Sequence, residues 1–326
     1  MQLEEKKVLL AGRFNPFRSA ETKEWWYTGV SDRKNGVYFG FSVIRLMMLD
    51  SITVSIFDPA SGKPIQHIWK GFTDSARPDG QLSLKAKGKN FSFSYTGSAE
   101  TGWVAEIDSP EISARLEIKP RIPSFTKDDD NFRQRYTLLH FFQNVVNGEI
   151  RAGGKTLKVE NALAYYDHCF GKVPRESKWH WIALQSERCA IASLVNYGEF
   201  AQRYTQAYFA GNVPTKAADR WIRLDQNVSF EYPASGAANP GADSDIDDSA
   251  ARFGVPWRVT SPDMNLELEF IMRSAEKERI PPLIPFIIKI DHVQCFVRAR
   301  GSIRVDGSWV ETGDLYGVFE EHHGVW

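Results

Sequence analysis

The residues best suited to chemistry stand together at Tyr165-Tyr166-Asp167-His168-Cys169-Phe170-Gly171. One carboxylate and one imidazole sit there among aromatic rings, and a glycine closes the stretch. In an extended segment side chains alternate, so Tyr165 and Asp167 share one face while Tyr166 and His168 share the other. An aspartate walled by rings is expected to keep its proton, because desolvation penalises the charged form. Such an acid, oriented by a hydrogen bond from Tyr165, suits protonation of an unactivated C=C bond. Hydration of an alkene and cyclisation of a polyene both begin with that step. The resulting cation needs electron-rich faces, and each ring within about 6 Å contributes on the order of 1 kcal/mol. Trp25, Trp26, Tyr27, Trp179 and Trp181 are the nominated rings. His140 or His168 is the candidate to activate water or to take up the final proton. A purely architectural alternative makes Asp167 and His168 a hydrogen-bonded pair that pins the strand between the two halves of the chain.

A second stretch stands near the amino end, Glu24-Trp25-Trp26-Tyr27-Thr28-Gly29. In a strand, Trp25 and Tyr27 point one way, and Glu24 and Trp26 the other. Glu24 beside two indoles is costly to bury unless it is paired or protonated. Arg45 and Arg33 are the partners on offer.

Strands must position these groups, because alternation dominates the chain. Ile52, Val54 and Ile56 alternate with polar neighbours, as do Phe91, Phe93 and Tyr95, and Ile112, Ala114, Leu116 and Ile118. Val228, Phe230 and Tyr232 repeat the pattern, as do Leu266, Leu268 and Phe270. Turn chemistry falls between them at Asn35-Gly36, Asp58-Pro59 with Gly62, Asp79-Gly80, Asn147-Gly148 and Asp306-Gly307. The best short helix candidate covers residues 214–224. The expected fold is therefore all-β and antiparallel, made of barrels or sandwiches. Gly171 and Pro174 end the central stretch, and the division is expected near 175, giving domains 1–175 and 176–326. Residues 234–251 are small and acidic and read as a loop. Residues 280–290 place three prolines among apolar side chains. They read as a buried crossover or as an apolar lip where a greasy ligand enters.

The two aromatic stretches together resemble the carotenoid hydratase family, also called hydroxyneurosporene synthases. Those chains share an E-W-W-Y opening and a central Y-x-D-H-N-W-G segment. Gly317-Val318-Phe319-Glu320 followed by Gly324 is similar to the family's closing strand. The resemblance implies two lipocalin-like (calycin-type) β-domains side by side, with relatives that include isoprenoid hydratases, cyclases and pericyclases. It places the family's central tyrosine and aspartate on Tyr165 and Asp167, and its upstream histidine on His140. Phe142 stands where the family has a tryptophan, and Cys169 and Phe170 replace its asparagine and tryptophan. The catalytic set expected is thus Asp167, Tyr165, His140 and His168. Glu24, Trp25, Trp26, Tyr27, Phe142, Tyr166, Trp179 and Trp181 are expected to line the substrate.

Composition bounds these readings. The 326 residues are 42% hydrophobic and 13% aromatic, with 10 Trp and 21 Phe, which calls for a large core or a ring-lined pocket. Forty basic and 41 acidic residues leave a net charge of -1 with no basic tract, which argues against nucleic acid as a partner. No apolar run reaches the roughly 20 residues that span a bilayer, and MQLEEKKVLLAG does not read as a signal peptide. Cys169, Cys189 and Cys295 are isolated, which fits reduced thiols in a cytoplasmic protein. His168, His180, His322 and His323 have no standard metal-ligand spacing. Gly153-Gly154-Lys155-Thr156 imitates the end of a phosphate-binding loop, but Glu149 stands where the first glycine belongs. No cofactor is implied. The expected partner is an apolar isoprenoid, polyene or lipid, drawn through peripheral membrane contact. A pericyclase and a non-catalytic lipid carrier remain the alternatives; oligomeric state is not legible.

Overall fold

The computed structural model describes residues 22–45, 50–57, 64–76, 81–130, 135–174, 176–197, 203–211, 218–232, 250–280 and 288–325. The amino-terminal dodecapeptide, Asp58-Pro59 with Gly62, Asp79-Gly80, most of the acidic loop and residues 281–287 lie outside them. The chain divides into two compact units, residues 1–173 and 174–326.

Unit 1 is a curled antiparallel sheet with 12 strands among the described residues. In spatial order eleven of them run Pro64–Gly71, Asp50–Phe57, Val37–Arg45, Thr22–Asp32, Lys155–Lys172, Arg135–Ala152, Ile112–Lys119, Gly102–Asp108, Phe91–Ser98, Leu82–Gly88 and Asp74–Ala76, and the twelfth, Phe125–Asp130, pairs with Arg135–Ala152 off this path. The sheet curls into a barrel because inward rings from distant strands meet. Phe41 packs edge-on against Tyr95 at 5.2 Å, and Tyr95 packs against Tyr166 at 5.9 Å. The alternating residues that sequence periodicity singles out supply this core: Ile52, Val54, Phe93, Tyr95, Ile112 and Leu116 are all buried.

Two irregularities shape the region around the central stretch. Pro120 and Pro123 follow the Ile112–Lys119 strand, and a proline cannot donate to a ladder. The chain breaks there and pairs again as Phe125–Asp130, alongside the first half of Arg135–Ala152. This sets Phe125 opposite His140. Asn147-Gly148, expected as a turn, lies inside the Arg135–Ala152 strand at a register shift. Asn161, at φ 53°, donates its backbone N–H to the Asn147 side chain at 3.0 Å there. The reversal comes instead at Gly153-Gly154, with φ 57° and 75°, a two-residue hairpin that glycine permits. The sequence that imitated a phosphate-binding loop is therefore a hairpin.

Unit 2 is a second curled antiparallel sheet, a half-barrel with 10 strands among the described residues. Nine of them run in the order Trp221–Arg223, Arg203–Phe209, Cys189–Tyr197, Glu176–Gln185, Leu315–Val325, Ile288–Val305, Met264–Ile280, Trp257–Ser261 and Ser229–Glu231, and the tenth, Ser308–Glu311, pairs with Ile288–Val305 off this path. The helix expected over 214–224 is not formed where the chain is described. Trp221–Arg223 is an edge strand paired with Arg203–Phe209, and Trp221 packs on Tyr208 at 5.5 Å. Sheet pairing and ring contact there override a weak local periodicity. The only helix among the described residues is the single turn Ala250–Phe253. No helix among them is long and apolar enough to cross a membrane.

Candidate functional site

The Lys155–Lys172 strand sits between Thr22–Asp32 and Arg135–Ala152, and its residues 162–169 are buried without interruption. A strand covered on both faces carries two distinct sets of side chains. On the inner face, Tyr166 and His168 join Trp26 in the barrel. His168 stacks on Trp26 with ring centroids 4.7 Å apart and meets Glu24 Oε1 through Nε2 at 3.0 Å. Arg45 lies 3.6 Å from Glu24 and 3.7 Å from Asp50. Of the two partners proposed for Glu24 from sequence, Arg45 takes it.

The outer face carries the candidate chemistry. Register places Tyr27, Asp167 and His140 side by side on three adjacent strands. The Tyr165 hydroxyl donates to Asp167 Oδ2 at 2.7 Å and lies 2.8 Å from His140 Nδ1. A hydroxyl that donates to the carboxyl must accept from the imidazole, which assigns the His140 proton to Nδ1. Burial drives the His140 pKa down from 6.5 to about 3, because the cation loses its hydration. The imidazole is neutral across the physiological range. A polarised chain therefore runs from His140 through Tyr165 to Asp167.

Rings enclose this chain. Phe125 stacks on His140 at 4.6 Å, and Phe142 lies 4.6 Å from Tyr165. Asp167 is 8% exposed, Tyr165 3% and His140 1%. Tyr27 lies 6.2 Å from Tyr165, and its hydroxyl meets that of Tyr38. Gly29 makes room for this pair, because a Cβ there would overlap both hydroxyls. His140 and Phe142 share a side by alternation, and a bulge follows them. Gln143 takes φ 52°, the register jumps between Phe141 and Asn144, and Asn144 Nδ2 donates to the carbonyls of Phe141 and Ala164 at 3.0 and 3.2 Å.

Of the residues expected from sequence, Asp167, Tyr165, His140, Phe142 and Tyr27 come together. Trp25 shares their face, half-buried and paired in register with Cys169. His168, Glu24, Trp26 and Tyr166 do not join them: one-residue alternation turns them into the barrel core, away from Asp167. The alternative of an Asp167–His168 hydrogen bond fails for the same reason. Trp179 and Trp181 belong to unit 2, where Trp179 stacks on His322 at 3.7 Å and Trp181 meets Tyr204 at 5.9 Å. Phe125 and Tyr38 escaped sequence reading. Proline punctuation before Phe125 was the available signal for the first, and nothing local marked the second. No group of three or more His, Cys, Asp or Glu among the described residues is placed to hold a metal ion.

A model for a domain of unknown function, DUF2804, matches residues 17–326. No curated protein matches the sequence. Among solved structures, kievitone hydratase from Nectria haematococca is similar at TM-score 0.56 and 10% identity, over 93% of this chain and 88% of that one. A provisionally named AttH from Nitrosomonas europaea is similar at TM-score 0.56 and 15% identity, over 97% and 98%. At such identities the likeness establishes the shared two-domain, lipocalin-like fold.

Proposed function

The chain belongs to the DUF2804 family, and from that premise we propose an enzyme that protonates a C=C bond of an apolar isoprenoid or polyene. The observation that carries this reading is the buried chain His140–Tyr165–Asp167, aligned by hydrogen bonds of 2.8 and 2.7 Å and walled by Phe125, Phe142 and Tyr27. Tyr165 holds Oδ2 of Asp167, so the proton delivered to carbon is the one on Oδ1. The alkene π pair forms the new C–H bond and leaves a cation on the neighbouring carbon. Water then adds to that cation, and its surplus proton returns to the Asp167 carboxylate. Where a second alkene of the same substrate meets the cation first, its π pair closes a ring and the charge moves to its far carbon, and a proton lost from the neighbouring carbon to the Asp167 carboxylate leaves a neutral cyclic alkene. The surrounding aromatic faces stabilise the cation by on the order of 1 kcal/mol each while water is excluded. The kievitone hydratase similarity supports the hydration branch, since that protein's name records a hydration on the same fold. The step requires no cofactor. The buried thiols of Cys169, Cys189 and Cys295 accord with a reducing, cytoplasmic setting.

Turnover of geraniol, farnesol and squalene in D2O tests the reading, with products analysed by mass spectrometry. The expected product carries one deuterium on carbon. A product free of carbon-bound deuterium would instead belong to a pericyclic enzyme, and saturable binding without product to a lipid carrier.

A further inference from the structure

The half-barrel of unit 2 has an unusual filling. Its apolar interior is built from Phe230, Trp257, Phe319 and their neighbours. Into it the single turn Ala250–Phe253 inserts two side chains, Arg252 and Phe253, which are 5% and 6% exposed. The Arg252 guanidinium donates from Nη2 to Glu321 Oε1 at 3.1 Å, and its Nη1 lies 2.8 Å from Oε2. The same guanidinium lies over the Trp257 ring at 4.7 Å. Phe253 stacks on Trp257 at 5.7 Å and meets Phe270 edge-on at 5.2 Å. Below them His180 bridges Glu321, at 3.2 Å from Nε2, and Tyr197, at 2.8 Å from Nδ1. Burial pushes the Glu321 carboxyl upward, but the hydrogen bonds and charges of His180 and Arg252 outweigh it and hold the group below its ordinary value.

This filling is expensive for what it stabilises. A buried ion pair seldom outperforms apolar side chains of equal volume, because both charges lose their hydration. A helix of one turn closes few backbone bonds of its own. The Trp257 indole N–H also holds it, donating to the Arg252 carbonyl at 2.9 Å. A carboxylate at the bottom of an aromatic box is, on the other hand, well matched to an organic cation, which gains both charge pairing and ring contact.

We propose that the half-barrel of unit 2 is a second ligand site, filled in this conformation by the chain's own Arg252 and Phe253, and that it takes an amine or guanidinium carried on an aromatic or aliphatic body. The ligand cation replaces the Arg252 guanidinium on Glu321 and over Trp257, and its apolar body replaces the Phe253 ring. The helical turn leaves, and the Trp257 indole loses its acceptor. No bond is made or broken in the ligand. This site is independent of Asp167 and stands whether or not the protonation reading does.

The probe is 2-phenylethylguanidine, with neutral 2-phenylethanol as its comparator, titrated into full-length protein carrying 15N-labelled tryptophan. The assigned Trp257 indole resonance is expected to move saturably with the guanidine and to stay in place with the alcohol. Glu321→Gln added to Arg252→Ala and Phe253→Ala, the fold checked by near-ultraviolet circular dichroism, is expected to weaken the guanidine by about tenfold or more relative to the double variant. Arg252→Ala combined with Phe253→Ala, which empties the site, is expected to tighten it by a similar factor in calorimetry. Should that double variant fail to fold, the wild-type titration decides alone. A Trp257 resonance unmoved by the guanidine at tens of millimolar would overturn the proposal. So would equal movement with the alcohol, or undiminished affinity when Glu321→Gln is added to the double variant.

Discussion

Asp167→Asn is expected to lower turnover of an alkene substrate by about 10³-fold, the scale on which a positioned general acid acts. Asparagine has nearly the same shape, and its carbonyl oxygen still accepts the hydrogen bond that Tyr165 donates to Asp167 at 2.7 Å. Its amide carries no proton acidic enough to transfer to carbon. Substrate binding, measured by quenching of tryptophan fluorescence, should therefore change little. That split separates a proton donor from a residue that merely fills the site. Turnover within a factor of a few of wild type would remove Asp167 from the chemistry. A loss of binding in step with turnover would make it part of the container only.

A second large effect concerns acid stability. His140 has a pKa of about 3 in the folded protein, against 6.5 for the free side chain. The native state therefore binds fewer protons than the unfolded chain between these two values, and native stability must fall as pH drops through that window. By linkage, His140 alone should cost the fold about 2 kcal/mol at pH 5 relative to pH 7.5. His140→Gln keeps a donor for Tyr165 but does not titrate. Urea unfolding at the two pH values should show the gap between them narrowed by about 2 kcal/mol in the variant. An unchanged gap would mean that the imidazole takes up its proton in the folded protein and lies in a wetter place than its 1% exposure implies.

The all-β architecture was legible because half-buried strands print their alternation directly: Ile52, Val54 and Ile56 read as one inward face and are one. The pairing of Tyr165 with Asp167 was legible for the same reason, since two residues apart on a strand means one face. Alternation also separates His168 from Asp167, although composition alone groups them. Legibility stopped where contacts depend on register. Nothing in the run Phe141-Phe142-Gln143-Asn144 announces the bulge that shifts the register between Phe141 and Asn144. Phe125 reaches His140 because two prolines break one strand and start another beside it. Asn147-Gly148 has hairpin chemistry, but a glycine of that kind serves a bulge equally well, and the pairing of two 18-residue strands chose the bulge. Arg252 and Phe253 gave no signal at all, because a one-turn helix has no periodicity to read.

The proposed chemistry requires Asp167 to hold its proton at neutral pH inside its aromatic surround. Infrared spectroscopy of protein carrying 13C-labelled aspartate reports this directly when the Asp167→Asn spectrum is subtracted from that of wild type at pH 7. The expected difference is the carbonyl stretch of one neutral carboxyl group. A difference that contains only the paired stretches of a carboxylate would contradict the account, since an aspartate already ionised has no proton to give to an alkene.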